Sequence, residues 1–202
     1  MKTTRSEIWR TEAFSLLELF AVIGIISVLM ALSVPAFTAI SRGNSISFSA
    51  QSVGDGLILA RQEASTRNRR AEIRFLKLPS RASSVDGFHA LQVWLADDLG
   101  IMKAYGQPIL LQPGVIILAS NDRSPLLNAP TVSSGTMQVS GETAAYTALP
   151  ILASGRLEEG KIPAQGSYLT IAPERDAAGS NLPNYAAVYI NRSTAQVRIL
   201  RP

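Results

Sequence analysis

The chain has 202 residues, of which 47% are apolar, a formal net charge of +4 and no cysteine. That length holds one ordinary domain plus an extra element, and the apolar content permits a packed core and argues against global disorder. The lack of cysteine excludes a disulfide framework, a thiol nucleophile and a thiolate metal site.

Residues 1–13 set Lys2, Arg5 and Arg10 against Glu7 and Glu12. Positive charge ahead of a first apolar segment favours insertion with the N-terminus inside, although Arg42 on the far side pulls the other way. Leu19 to Ser41 carries no charge. At about 1.5 Å per residue it makes roughly 35 Å of helix, enough to cross a hydrocarbon core of about 30 Å. The pattern predicts a leader over 1–13 and a helical stem over 14–66 whose part at about 19–41 spans a membrane. Beyond the span, Ile46, Ala50, Val53, Leu57, Ala60 and Ala64 alternate spacings of four and three, which puts them on one helix face. This stripe is expected to pack on the head, with Arg61, Gln62 and Glu63 outward. Gly54 and Gly56 each cost about 1 kcal/mol against alanine inside a helix, so they call for close packing or a bend.

From 67 to 202 the pattern predicts a β-rich head. Ala71 to Leu78 alternates apolar and charged residues for most of its length and ends at Pro79, a strand signature. Further strands are expected over 87–96, 115–119, 136–140, 168–172, 185–190 and 195–200, the last two as a hairpin across 191–194. Residues 120–135, rich in Ser, Asn and Pro, read as a loop. One long helix followed by about seven short strands describes an α+β protein with a mainly antiparallel sheet.

The most informative stretch is Ala13-Phe14-Ser15-Leu16-Leu17-Glu18, which runs straight into the apolar span. A carboxylate deep in lipid costs about 2.5 kcal/mol or more, so Glu18 needs a partner or a place among the headgroups. The segment resembles the processing site of type IV prepilins and type II secretion pseudopilins. There a basic leader ends in a small residue, followed by Phe, Ser or Thr, two aliphatic residues and Glu. The resemblance implies cleavage by prepilin peptidase between Ala13 and Phe14, methylation of the new Phe14 amine, and pairing of Glu18 with such an amine on a neighbouring subunit. It also implies a helix-bending role for Pro35. Ala13 replaces the usual glycine, which bears on cleavage efficiency.

Leu57 to Ala64 followed by Arg67-Asn68-Arg69, together with the closing run Val188-Tyr189-Ile190-Asn191 and Gln196-Val197-Arg198-Ile199, is similar to H-type minor pseudopilins and FimT-like pilins. The combination is also similar to the Verru_Chthon cassette protein D family. The resemblance implies a structural subunit of a filament or pseudopilus, single-pass in a bacterial inner membrane with its head in the periplasm or outside. Its partners would be other pilin-type subunits, the peptidase and membrane lipid, with no cofactor.

Three other readings compete. A secretory signal ending at Val34-Pro35-Ala36 would release a domain starting at Phe37, but the apolar run exceeds the usual signal core and Glu18 interrupts it; a plain anchor without assembly is the related case. DNA binding, known among FimT-like pilins, could use Arg192, Arg198 and Arg201, with Arg67, Arg69 and Arg70 elsewhere. An enzyme finds little support. His89 is the single histidine, no G-x-S-x-G elbow or phosphate loop occurs, and the adjacent pairs Asp97-Asp98 and Glu158-Glu159 read as turns rather than dyads. Asp97, Asp98, Asn121, Asp122 and Asp176 could supply oxygens to calcium, but without a diagnostic spacing.

Overall fold

The computed structural model describes residues 15–81, 85–130, 132–158, 166–179, 181–191, 194 and 196–201, with only the backbone described over 32–42. The chain divides into two units, Met1–Ser41 and Arg42–Pro202. Helix α1, Leu16–Arg67, belongs in part to each.

In the second unit the helix stripe is buried as the spacing requires: Ile46, Ala50, Val53, Leu57, Ala60 and Ala64 are all at most 3% exposed. They share one core with the inward residues of two antiparallel sheets. The strands are β1 (Ala71–Lys77), β2 (Gly87–Phe88), β3 (Ala90–Ala96), β4 (Met102–Leu110), β5 (Val115–Leu118), β6 (Ser133–Val139), β7 (Glu142–Ile151), β8 (Tyr168–Pro173), β9 (Ala186–Ile190) and β10 (Val197–Leu200). The first sheet has the order β4-β3-β1-β7-β6 and the second β10-β9-β8-β5-β2. The α+β class and the antiparallel pairing therefore hold, with two five-stranded sheets where the sequence suggested one.

Alternation does the work in β1. Ala71, Ile73 and Phe75 face the core, while Glu72 and Arg74 lie on the opposite face. On that outer face the Arg74 guanidinium stacks over the Trp94 ring at 3.7 Å and the Tyr146 ring at 4.4 Å, and it pairs with Glu72 at 3.2 Å. Cations over aromatic faces attract through the ring quadrupole. The ladder continues to the sheet edge, because Tyr146 faces Gly135 and covers a position without a side chain.

The segment 87–96 is not one strand. Gly87 and Phe88 pair with β5 in the second sheet, whereas Ala90 to Ala96 pair with β1 and β4 in the first. His89 is the crossing point: its N–H donates to Leu76 O at 2.8 Å and its carbonyl accepts from Leu111 at 3.0 Å. β4 and β7 have no counterpart among the expected strands. β4 contains Gly106 and Pro108, which an edge strand tolerates because one side of its ladder is open. β7 is rich in alanine and contains Pro150; β6 pairs only as far as Ala148, so Pro150 lies where that side of β7 is free. The segment 120–135 is also more structured than a loop. Pro125–Asn128 forms a short 3-10 helix that buries Leu126 and Leu127, and Ser133 already opens β6.

Candidate assembly segment

In the first unit, eleven large apolar side chains from Leu16 to Met30 stand exposed. They fill all but every third position, the gaps being Glu18, Ala21, Gly24 and Ser27, and at about 100° per residue they point in every direction around the helix. An amphipathic helix would offer one stripe to a core; a helix apolar all round needs lipid or other helices on every side. Burial at about 1.5 kcal/mol per side chain makes the driving force on the order of 15 kcal/mol. Gly24 has open space around it, so it adds a smooth strip rather than filling a contact within the chain. Among the residues whose side chains are described, no helix is long and apolar enough to cross a membrane. The uncharged run of the sequence continues to Ser41, through residues whose side chains are not described.

Glu18 lies in the first turn of α1. Its N–H donates to Ser15 Oγ at 3.2 Å, and Ser15 directly precedes the helix. Ser15-x-x-Glu18 is a capping-box sequence, in which the serine oxygen takes an orphan N–H and the carboxylate sits at the positive end of the helix dipole. The motif thus has a local structural use in starting the helix. Ala13 and Phe14 lie outside the described residues, and Pro35 is described only as backbone within the helix.

The arginines considered for nucleic acid do not form one patch of free charge. Arg201 donates to Ser47 Oγ and, at 3.2 Å, to Asn184 Oδ1, tying the end of the chain to α1. Arg198 is exposed on β10, and Arg192 lies outside the described residues. Arg67, Arg69 and Arg70 line an open groove of about 710 Å³ together with Glu72, Asp97 and Asp98. Each is matched there or beside it: Arg67 with Glu63 at 2.6 Å, Arg69 with Asp98, and Arg70 with Glu158 at 3.6 Å. The Glu63 bond and charge hold the Arg67 pKa above its ordinary value.

The adjacent carboxylates Asp97 and Asp98 behave as turn residues. Asp97 Oδ1 accepts from Leu99 and Ile101 N–H, both at 2.9 Å, and Oδ2 meets Lys103 at 3.0 Å. The lysine bond first, then the backbone donors, keep its pKa below the usual carboxylate value. Glu159 lies outside the described residues. Among the described residues no group of three His, Asp or Glu side chains could hold a metal ion. His89 is buried; its Nδ1 accepts from Leu78 N–H at 3.3 Å, and Nε2 has no partner among the described residues. Burial pushes its pKa down, Glu174 opposing and Arg81 reinforcing the shift.

A second shallow groove, of about 290 Å³, went unnoticed in the sequence. It is lined by Tyr168, Tyr185, Tyr189 and Leu200 on the second sheet. Tyr168 faces Tyr189 and Tyr189 faces Arg198 across β8, β9 and β10. Strand register reveals that row, since Tyr168 lies far in the chain from the hairpin that holds Tyr189 and Arg198.

No family model and no curated protein matches this chain. Among solved structures it is similar to the minor pseudopilin EpsH from the type 2 secretion system of Vibrio cholerae, at 15% identity and a TM-score of 0.46, over 78% of this chain and 98% of that one.

Proposed function

We propose that this chain is a pilin-type structural subunit that assembles through its N-terminal helix. The observation that carries the reading is the helix itself: apolar on every side from Leu16 to Met30, capped at Ser15, and continuous with the segment that forms part of a β-rich core. Such a helix is built to be surrounded, and the N-terminal motif supplies the means. Prepilin peptidase would cut between Ala13 and Phe14, and the apolar span of about 19–41 would hold the subunit in the bacterial inner membrane with its head outside the cytoplasm. In the filament or pseudopilus, Glu18 would meet the Phe14 amine of a neighbour, which offsets the cost of a carboxylate in an apolar setting. The quoted residues favour an H-type minor subunit, near the Verru_Chthon cassette protein D group.

The test is the intact mass and N-terminal sequence of the protein extracted from membranes that also contain a prepilin peptidase. A start at Phe14, methylated or not, supports the reading. A start at Met1 reduces the protein to an anchored domain, and a start at Phe37 makes it a secreted one. Glu18→Ala should then lower incorporation into the assembly while the head stays folded. Ser15→Ala separates the two uses of the motif, since it removes the cap, worth about 1 kcal/mol, and leaves the carboxylate.

A further inference from the structure

Outermost strands present unpaired N–H and C=O groups, and folds guard them with shortness, charge, proline or bulges. Three of the four sheet edges are guarded in these ways. β2 has two residues. β10 has four, among them Arg198, and runs into Arg201. β4 carries Lys103 and Pro108, and its ladder with β3 shifts register between Leu91 and Val93, next to Gly106 at φ +79°. β6 is different. It has seven residues, Ser133 to Val139, with no charge and no proline, and every one pairs in regular register with β7. Ser133, Ser134, Thr136 and Gln138 are exposed, and no hydrogen bond occupies the outer edge among the described residues.

We propose that two copies of this chain pair through the outer edges of β6, antiparallel and centred on Thr136, to join their first sheets into one. Register picks out this arrangement. Ser140 and Gly141 form the two-residue turn between β6 and β7, both at positive φ, so the closing pair Val139 and Glu142 is hydrogen-bonded. Alternate residues Ser134, Thr136 and Gln138 then direct their backbone groups outward. A two-fold axis at Thr136 sets Thr136 against Thr136 and Ser134 against Gln138, giving about six inter-chain N–H···O bonds, two for each such pair.

Charge explains why the occupant is a second copy. Symmetric pairing sets each side chain against its own kind or its mirror position, and like charges placed so are destabilising. β6 avoids that conflict by having no charge, and threonine opposite threonine is a favourable cross-strand pair. Gly135, the weak point of such a strand, is shielded by the Tyr146 hydroxyl, 2.8 Å from where a Cβ would stand. The pairing uses neither the N-terminal helix nor its processing, so it stands or falls independently of the proposed function.

The absence of cysteine allows a clean test on the full chain in detergent micelles. Thr136→Cys should be linked to a dimer by a short bis-maleimide at least tenfold above a control cysteine at Gln107 on the β4 edge. Ser134→Cys and Gln138→Cys should each link poorly alone and well when mixed. Adding Thr136→Lys to that mixture should return linking to background, with an unchanged near-ultraviolet spectrum as the folding control. Equal linking at all positions, including Gln107, would place the association in the apolar helix and overturn the proposal. Self-linking at Ser134 and Gln138 as strong as at Thr136 would mean parallel pairing and overturn it too, as would no linking above background.

Discussion

Two glycines on one helix should respond with opposite sign to the same substitution. A Cβ on Gly56 would stand 2.4 Å from Leu91 Cδ1 and 3.7 Å from Ile109 Cδ1, and Leu91 is fully buried. Alanine gains about 1 kcal/mol of helix propensity there, but overpacking a filled core costs about 1–3 kcal/mol. Gly56→Ala should therefore lower stability by up to about 2 kcal/mol. A Cβ on Gly54 would stand 3.3 Å from Ile199 Cδ1, the free end of a side chain that is 38% exposed and has room to turn. Gly54→Ala should keep most of the helix gain and raise stability by up to about 1 kcal/mol. In a chain of this size each kcal/mol moves Tm by about 2–4 °C, so a gap of about 1–3 kcal/mol puts the two melting points about 2–12 °C apart. The assay is thermal unfolding of the full chain in detergent, followed by near-ultraviolet circular dichroism so that the packed head is what is read. A Gly56→Ala protein that melts at or above Gly54→Ala would show that Leu91 repacks freely and that close approach is not why glycine sits there.

Other outcomes follow from the same geometry. Arg74→Ala removes a cation stacked on two rings and leaves the half-buried Glu72 unpaired, and should cost about 2–3 kcal/mol; Arg74→Lys should recover only part, since ammonium lacks the planar face, as urea unfolding would show. His89 has a folded pKa below its ordinary 6.5, so the unfolded chain binds the extra proton first. Its contribution to stability is complete above pH about 6.5 and is lost as pH falls below that value. A Tm profile between pH 7 and 5 should flatten in His89→Asn, which keeps an acceptor near the Nδ1 position without the titration. Asp97, with its pKa lowered from 3.8, contributes above that value and loses it on further acidification, so Asp97→Asn should change the profile only below pH about 4. Arg201→Ala should release β10 from Ser47 and raise amide exchange at Val197 to Leu200, whereas Arg198→Ala should not.

The sequence by itself determined whatever depends on periodicity and punctuation. The four-three spacing of Ile46 to Ala64 defines a buried face because 3.6 residues complete a helical turn, and that face is buried. Ala71 to Lys77 alternates, so it is a strand with one face in the core. The uncharged run after Glu18 is equally legible, since it is local. Tertiary structure decided what depends on neighbours. β4 and β7 read poorly because Gly106, Pro108 and Pro150 look like breakers until a free ladder side makes them harmless. His89 looked like one residue within one strand, but the segment switches sheets there, and no local signal marks which neighbour a backbone will find. The same holds for Arg74 between Trp94 and Tyr146, for the arginines neutralised by Glu63, Asp98 and Glu158, and for β6. A strand over 136–140 is legible in the sequence, but only the place of β6 at the end of the sheet order leaves one side of a regular ladder open.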